Sequence, residues 1–239
     1  MKEKMMVQCF QRFEKKYLLN RLQYEAMLEG MRDHMEPDEY GRYTICNIYY
    51  DTDDYELIRT SLDKPVYKEK LRVRSYGVPG DGDSVFVELK KKFSGEVYKR
   101  RVVMEAGEAS AYLEGRARPS QDGQICHEID WFLKSYDPKP QAFIGYDREA
   151  YVGVDDPELR ITFDTDLKWR STELDLRFGN YGEPILEDDQ ILMEIKIPGT
   201  APVWLSHLLS EEDIYPTSFS KYGTCYQQNL SNVGVRFSA

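Results

Sequence analysis

The chain has 239 residues, of which 41% are hydrophobic and 31% are charged, and its formal net charge is −10. A protein that binds duplex nucleic acid usually has a basic balance, so this charge argues against a nucleic-acid partner. The apolar stretches are only a few residues long, as in Ala142-Phe143-Ile144, which excludes a transmembrane helix of roughly 20 apolar residues.

The cysteines and the N-terminal residues bear on the compartment. The four cysteines, at positions 9, 46, 126 and 225, are far apart and form no CxxC pair. We therefore expect reduced, mostly buried thiols and no zinc site. Residues 1–12 lack the apolar core of a secretory signal, so these features together predict a cytoplasmic protein.

Hydrophobic periodicity predicts the elements in chain order. Strands are expected at 7–19, 43–50, 66–76, 84–93, 96–104, 141–152, 158–164 and 190–197. Helices are expected at 20–33, where Asn20 is the N-cap, and at 107–115, 124–136, 202–210 and 220–230. Residues 165–189 form a turn-rich, partly stranded connection, and no linker divides the chain. This pattern predicts a single α+β domain over 1–239, with one antiparallel sheet of about eight strands and helices outside it.

Several predicted strands carry their charged residues on one face, because successive side chains of a strand point to opposite faces. Lys68, Lys70, Arg72 and Arg74 share a face opposite Leu71 and Val73. The other sets of charged or polar residues that share a face are Arg12, Glu14 and Lys16; Glu88, Lys90 and Lys92; Lys99 and Arg101; Tyr146 and Arg148; Arg160, Thr162 and Asp164; and Glu194 and Lys196.

Two interpretations of these charged faces remain open. Each face can be the solvated side of an amphipathic strand, with the apolar side forming the core. Alternatively, the charged faces line the interior and the apolar faces pack under outer helices. The second arrangement gathers many cations in one place, and such a site requires an anion because the cations otherwise repel one another.

Clustered Arg and Lys suit phosphoryl oxygens, and nearby carboxylates are the ligands that Mg²⁺ or Mn²⁺ prefers. Cations combined with a metal-binding carboxylate are typical of phosphoryl-transfer sites, where catalysis is mostly positioning and charge stabilisation. The chain contains no GxxxxGK[ST] P-loop, no GxGxxG after a strand and no kinase HRD/DFG pair. Nucleotide chemistry here would therefore have to be independent of those folds.

An ordered set of short motifs carries a family resemblance. The motifs are Arg12-Phe13-Glu14-Lys15-Lys16-Tyr17, Lys70-Leu71-Arg72-Val73-Arg74, Glu88-Leu89-Lys90, Tyr146-Asp147-Arg148, Arg160-Ile161-Thr162-Phe163-Asp164, Glu194-Ile195-Lys196 and Ser218-Phe219-Ser220-Lys221-Tyr222. In this order, over about residues 8–228, the chain resembles the CYTH-like triphosphate tunnel metalloenzyme superfamily. Within it, the chain resembles the VTC-type polyphosphate polymerase domain in its stand-alone bacterial form. Arg12 stands where the broad superfamily has the first glutamate of ExExK, which favours the polymerase branch over a triphosphatase with several glutamates.

The resemblance implies an eight-stranded antiparallel β-barrel, or tunnel, with helices outside and a C-terminal helix at one mouth. The cations that grip phosphates would be Lys16, Arg72, Arg74, Lys90, Arg148 and Arg160. Further substrate contacts would come from Lys70, Tyr146, Lys196, Ser220 and Lys221, and from Lys99, Arg100 or Arg101, among which the period of two does not decide. Glu194 would be the principal ligand of Mn²⁺ or Mg²⁺, with Glu88 and Glu14 as second candidates.

The activity that this resemblance implies is transfer of the γ-phosphate of ATP to a growing polyphosphate chain. A triphosphatase in the same tunnel, a polyphosphate-binding module without catalysis and, more distantly, an adenylate cyclase are the alternatives. The isolated His34, His127 and His207 are expected to be structural, and Tyr49, Tyr50 and Tyr55 to be core and rim residues. Asp51-Thr52-Asp53-Asp54 is expected to be a turn and helix cap.

Overall fold

The computed structural model describes residues 12–231, and in this part of the chain there are nine strands and six α-helices. The strands are β1 (Arg12–Leu19), β2 (Met35–Asp51), β3 (Tyr67–Tyr76), β4 (Ser84–Phe93), β5 (Glu96–Glu105), β6 (Lys139–Gly153), β7 (Arg160–Arg170), β8 (Glu183–Pro184) and β9 (Ile191–Pro198). The helices are α1 (Arg21–Gly30), α2 (Glu56–Leu62), α3 (Ala106–Leu113), α4 (Gln124–Tyr136), α5 (Val203–Glu211) and α6 (Lys221–Cys225). A π-helical turn, Tyr226–Leu230, follows α6.

The strands form one antiparallel sheet in the order β1-β9-β7-β6-β2-β3-β4-β5, with the short β8 beside β7. The prediction of an antiparallel α+β fold is confirmed, but the expected closed eight-stranded barrel is wrong, because the sheet over residues 12–231 is not closed. The outer edge of β1 bonds to a loop instead of a strand, since the Thr217 N–H donates to the Lys16 carbonyl at 2.7 Å. The ninth strand, β8, lies within the connection at 165–189 that was expected to be partly stranded.

Local signals place several elements correctly. The Asn20 side chain accepts a hydrogen bond from the Gln23 N–H at 2.9 Å, and the Gln23 side chain accepts one from the Asn20 N–H at 3.1 Å. This reciprocal capping box satisfies two donors that the start of a helix leaves free, so α1 begins where predicted. The predicted cap at 51–54 is confirmed as well, because the Asp51 carboxylate accepts from the N–H groups of Leu57 and Ile58 at the start of α2. Residues 7–11 of the first predicted strand lie outside the described residues.

The chain divides into two compact units. Within the described range, unit 1 comprises 12–42, 148–165 and 187–219, and unit 2 comprises 43–147, 166–186 and 220–231. In unit 1 the apolar faces of β1, β7 and β9 pack with helices α1 and α5. Typical members of this core are Tyr17, Phe163, Met193, Met27 and Leu205.

The core of unit 2 lies between the apolar faces of its strands and helices α3 and α4. Leu71, Val87 and Val102 belong to this core together with Ile129 and Phe132 of α4. The apolar side of the sheet is therefore covered by helices. Burying this much aliphatic and aromatic surface is the main stabilising contribution to the unit.

The cysteines and the helices agree with two further expectations. Cys46, Cys126 and Cys225 are free and buried, while Cys9 lies outside the described residues. Burial raises the pKa of Cys46 to about 11 and that of Cys225 to about 12, so both are protonated, unreactive thiols at neutral pH. Between residues 12 and 231, no helix is long and apolar enough to cross a membrane.

Candidate functional site

In unit 2 the register of β3, β4 and β5 aligns basic side chains from neighbouring strands on one face. The cross-strand rows are Lys68–Lys92–Val97, Lys70–Lys90–Lys99, Arg72–Glu88–Arg101 and Arg74–Phe86–Val103. We call these four rows the cation face, and Glu88 is the one carboxylate in them. The face lies opposite the apolar core of the unit, because its residues alternate with Leu71, Val73, Val87 and Leu89.

The centre of the cation face is not a solvated exterior. Glu88 is only 1% exposed and Arg74 only 7% exposed. Glu88 and Arg74 are thus removed from water, while Arg72 and Arg101 are half-buried, Lys90 and Lys99 are exposed, and the apolar side of the same strands packs under helices. Of the two interpretations of the charged strands, the contacts within this unit favour the one with a buried polar face.

Glu88 holds three of the surrounding cations by ion pairs. Its Oε2 accepts from the Arg72 Nε at 2.8 Å, and its Oε1 pairs with the Lys99 Nζ at 2.9 Å and accepts from the Arg101 Nε at 2.7 Å. Burial alone raises the pKa of Glu88, but the charges of Arg72, Arg74 and Lys99 outweigh it and bring the pKa well below its ordinary value. Glu88 is therefore ionised at neutral pH, and both of its oxygens are engaged by cations.

Three lysines of the cation face are aligned with one another across neighbouring strands. Lys70, Lys90 and Lys99 are directly opposite across three strands, a spacing at which like charges destabilise a sheet. Burial lowers the pKa of Lys99, although the nearby Glu88 partly offsets the effect. Burial also lowers the pKa of Lys68, and the charge of Lys92 adds to it. An anion with several negative oxygens would relieve this repulsion.

Hydrogen bonds fix the orientation of the two arginines of β3. The Arg74 Nε donates to the Asn47 Oδ1 at 3.0 Å, and its Nη2 donates to the Tyr146 hydroxyl at 3.2 Å. The Arg72 Nη1 donates to the Tyr49 hydroxyl at 3.1 Å. Sequence reasoning included Tyr146 but missed Asn47 and took Tyr49 for a core or rim residue. Asn47 and Tyr49 are two residues apart in β2, so they lie on the same face of the strand, opposite Arg74 and Arg72 of β3. This spacing could have identified them from the sequence.

Helix α6 brings two further predicted residues to this unit's polar side. Ser220 caps the helix by accepting from the Gly223 N–H at 3.2 Å, and the Lys70 Nζ lies 3.5 Å from its Oγ. The Lys221 Nζ lies 4.4 Å from the centre of the Tyr146 ring, at cation–π distance. The predicted residues that the structure brings together in unit 2 are Lys70, Arg72, Arg74, Glu88, Lys90, Lys99, Arg101, Tyr146, Ser220 and Lys221.

Arg100 lies apart from them, on the opposite face of β5. Its Nε is 3.3 Å from the Glu128 Oε1, and Lys91 pairs with the same carboxylate at 3.0 Å. Glu128 belongs to α4, the helix that covers the apolar side. Lys99 and Arg101 are thus the residues of β5 that meet the cation face, a choice that the period of two had left open.

Unit 1 has a mixed polar face of its own. Its rows across β1, β9 and β7 are Lys16–Glu194–Thr162 and Glu14–Lys196–Arg160. The Glu194 Oε1 pairs with the Lys196 Nζ at 3.1 Å, and the Lys16 Nζ donates to the Phe219 carbonyl at 3.3 Å. The Thr162 hydroxyl, on the same face, is buried without a hydrogen-bond partner.

Two predicted phosphate ligands of unit 1 form ion pairs. Arg148 donates two hydrogen bonds to the Asp164 carboxylate, at 2.6 and 2.7 Å, in a bidentate geometry. The Arg160 Nη2 lies 3.7 Å from the Asp38 Oδ2. Arg148 is thus held rigidly by a buried carboxylate, whereas the pair of Arg160 is long and half-exposed.

The donor chemistry for a divalent metal is sparse but usable. The described residues contain no group of three or more His, Cys, Asp or Glu side chains that could hold a metal ion. Mg²⁺ commonly needs only one or two carboxylates, since waters and substrate phosphates supply its other ligands. Glu194, only 8% exposed, fits that role better than Glu88, whose two oxygens are engaged by cations. Glu14 pairs with Lys16 at 3.4 Å and is more exposed.

Comparison with known proteins identifies relatives over most of the chain. The family model of the VTC domain matches residues 11–230. Vacuolar transporter chaperone complex subunit 4 from Trypanosoma cruzi is 26% identical over 217 residues, which cover 74% of this chain and 27% of that protein. The subunit 4 from Schizosaccharomyces pombe is 26% identical over 221 residues, which cover 74% and 30%, respectively. The chain therefore spans less than a third of the length of these curated relatives.

Solved structures show the same fold at low identity. A crystal structure of a candidate adenylate cyclase from Bacillus halodurans matches with a TM-score of 0.53 at 15% identity, covering 87% of this chain and 92% of that one. A candidate adenylyl cyclase from Hippeastrum, described as having a dominant triphosphatase activity, matches with a TM-score of 0.55 at 14% identity, covering 91% and 95%. The antiparallel sheet with its helices is thus similar in fold to these two proteins.

Proposed function

Since the chain belongs to the VTC domain family, we propose that it catalyses metal-dependent phosphoryl transfer on triphosphate and polyphosphate. In its finer form the proposal is an ATP-dependent polyphosphate polymerase that moves the γ-phosphate of ATP onto a growing polyphosphate chain and releases ADP. The observation that carries the proposal is the cation face, whose four cross-strand rows contain eight lysines and arginines and one carboxylate. Within a chain of net charge −10, such a face needs a polyanion as counter-charge.

The cations would act mainly by positioning and charge stabilisation. Arg72 and Arg101 are held by Glu88, and Arg74 by Asn47 and Tyr146, so their guanidinium groups need little reorganisation when a phosphate arrives. Lys70, Lys90 and Lys99 would neutralise charge on the non-bridging oxygens of the donor and acceptor phosphates. In the transfer, a terminal polyphosphate oxygen attacks the γ-phosphorus, and the bond to the β-phosphate oxygen breaks with ADP as the leaving group.

Glu194 is the residue we assign to a divalent metal, Mn²⁺ or Mg²⁺, with Glu14 and Glu88 as lesser candidates. When bound, the metal would supply charge neutralisation on the phosphate oxygens. Lys16, Arg148, Arg160 and Lys196 stay predicted phosphate ligands, and the predicted cytoplasmic location stays an expectation.

A triphosphatase is the second candidate, because the Hippeastrum protein with this fold is described by that activity. It differs from the polymerase only in the acceptor, which is water instead of a phosphate chain. The same cations would stabilise the charge of either transition state.

The test is to incubate the purified chain with γ-labelled ATP, Mn²⁺ or Mg²⁺ and a short polyphosphate primer, and to separate the products on a gel. We expect a ladder of lengthening polyphosphate together with ADP. Release of labelled orthophosphate without lengthened polyphosphate would show that the chain is a triphosphatase and not a polymerase. If ATP is unchanged but the protein retards the primer on the gel, the chain is a polyphosphate-binding module. If the chain shows no turnover and no binding of the primer, the proposal as a whole is refuted.

Two variants make the assay specific to the site. Lys90→Ala and Glu194→Gln should each lower the rate of synthesis by roughly tenfold or more, the scale of losing one charge-stabilising group in an active site. Lys139→Ala is the control, because Lys139 pairs with Asp53 at the exposed surface, and it should retain the wild-type rate. Wild-type synthesis by both Lys90→Ala and Glu194→Gln would contradict the assignment of the site.

A further inference from the structure

Helix α6 is anchored through a buried tyrosine that the phosphate-binding proposal does not use. Tyr222 is 3% exposed, and its hydroxyl donates a hydrogen bond to the Asp51 Oδ2 at 3.0 Å. Asp51 is fully buried and also accepts from the N–H groups of Thr52, Leu57 and Ile58, at 2.8, 2.9 and 3.0 Å. A carboxylate with this many fixed donors is a rigid acceptor, so Tyr222 is tied to the junction of β2 and α2.

The ring of Tyr222 makes a second contact that leads to the cation face. It stacks on Tyr49, with ring centres 4.7 Å apart and planes at 15°. The Tyr49 hydroxyl in turn accepts from the Arg72 Nη1 at 3.1 Å, and the Arg72 Nη2 pairs with the Glu88 Oε2 at 2.6 Å. Tyr222 therefore packs against Tyr49, and Tyr49 in turn orients Arg72 of the cation face.

The two residues before Tyr222 are those that meet the cation face. Ser220 lies beside Lys70, and Lys221 lies over Tyr146, which is itself bonded to Arg74. Adjacent residues in one turn of helix move together, so the place of Ser220 and Lys221 depends on how firmly Tyr222 is held.

We propose that Tyr222 is a positioning residue whose buried contacts with Asp51 and Tyr49 hold helix α6 so that Ser220 and Lys221 complete the anion site of the cation face. The inference rests on the proposed binding of polyanions by that face. Tyr222 would not contact the phosphate itself, and it would act through its neighbours Ser220 and Lys221 in the helix. Replacing Tyr222 should therefore weaken the contribution of Lys221 to polyanion binding more than the contributions of Arg72 and Lys90.

Isothermal titration with tripolyphosphate, in the absence of ATP turnover, tests the inference. Tyr222→Phe keeps the ring and the stacking on Tyr49 but removes the bond to Asp51. We expect the dissociation constant for tripolyphosphate to rise roughly three- to tenfold, the scale of coupling between residues that share a network. When Lys221→Ala is already present, adding Tyr222→Phe should change the dissociation constant for tripolyphosphate by less than twofold, because the Lys221 ammonium group that Tyr222 positions is absent.

Tyr112→Phe is the matched control. The Tyr112 hydroxyl is also buried and donates to a carboxylate, that of Asp130 at 2.7 Å, but it lies between α3 and α4 on the apolar side. Both variants remove one buried hydroxyl donor and should lower the melting temperature, and only Tyr222→Phe should weaken tripolyphosphate binding. If Tyr222→Phe fails to fold, Asp51→Asn, which weakens the same contact from the other side, is measured instead and should show the same loss.

The possible failures are distinguishable. If the wild type does not bind tripolyphosphate, or Arg72→Ala binds it as well as wild type does, the proposed function fails. If Arg72→Ala loses binding while Tyr222→Phe matches wild type, or if the effects of Tyr222→Phe and Lys221→Ala are additive, only the positioning role is overturned.

Discussion

A carboxylate surrounded by cations is the arrangement at the centre of the cation face. Glu88 is buried, and the desolvation of its carboxylate destabilises the fold unless cations pair with it. Arg72, Lys99 and Arg101 provide that compensation, and together they carry more positive charge than Glu88 can neutralise. In the proposed function, this excess positive charge would bind phosphate oxygens.

The two neighbouring arginines of β5 offer a matched comparison. Arg101 contacts Glu88 on the cation face, whereas Arg100 points to the opposite face and pairs with Glu128. Arg101→Ala should raise the dissociation constant for tripolyphosphate by roughly tenfold or more, the value of a charge-assisted contact. Arg100→Ala should change it by less than about twofold, as for a half-exposed surface pair. Equal losses in the two variants, measured by titration calorimetry, would contradict the assignment of faces.

At the scale of elements, the segment between β7 and β8 is organised by one arginine. Arg170, only 6% exposed, donates to the backbone carbonyls of Glu173, Asp175, Gly179 and Tyr181 at 2.9 to 3.2 Å. Its guanidinium also lies between the rings of Phe143 and Tyr181, 3.7 and 4.2 Å from their centres. A turn-rich segment with few apolar residues is thus held by a planar group that satisfies its carbonyls.

Replacing Arg170 should therefore destabilise the fold strongly. Arg170→Lys keeps the charge but not the five-donor fork, and it leaves several of these partly buried carbonyls without donors. We expect the free energy of unfolding, measured with urea, to fall by roughly 2–4 kcal/mol. Lys139→Ala, at an exposed pair, should change it by less than about 1 kcal/mol. A loss below about 1 kcal/mol for Arg170→Lys would show that water replaces the guanidinium at these carbonyls.

Local signals explain why some elements were predicted and others were not. The cap at Asn20 and the period-two strands β3 to β5 depend on neighbouring residues, so they were predictable. Strand β2 begins at Met35, well before the predicted position 43, although Pro37 and Gly41 argue against a strand there. The exposed residues of this extension carry no alternation to reveal it, because they face solvent instead of a core.

At the scale of the whole molecule, a net negative charge coexists with a local cluster of cations. The chain has 42 acidic and 32 basic residues, yet basic residues dominate the cation face. With a net charge of −10, we expect the rest of the surface to repel a long, stiff polyanion more than a short phosphate chain that fits on the face. Size and flexibility of the anion should therefore govern binding.

Thermal unfolding can test this selectivity. Millimolar tripolyphosphate should raise the melting temperature by roughly 3–8 °C through its binding to the folded state, and added salt should reduce the shift by screening. A duplex DNA at equal phosphate concentration should leave the melting temperature unchanged within about 1 °C. Equal stabilisation by both anions would mean that the cations bind any phosphate backbone.

The amino-acid sequence by itself determined the antiparallel α+β class, most strands and helices, and the sharing of a face by Lys70, Arg72 and Arg74, because caps and the period of two are local properties of the chain. Only the tertiary structure decided that Arg101 meets Glu88 while Arg100 turns away, since that depends on the register between β4 and β5. It also decided that Tyr222 bonds to Asp51 across 171 residues and that Thr217 covers the edge of β1 where a closing strand was expected. Contacts between residues far apart in the chain are set by packing and register, and no local pattern encodes them.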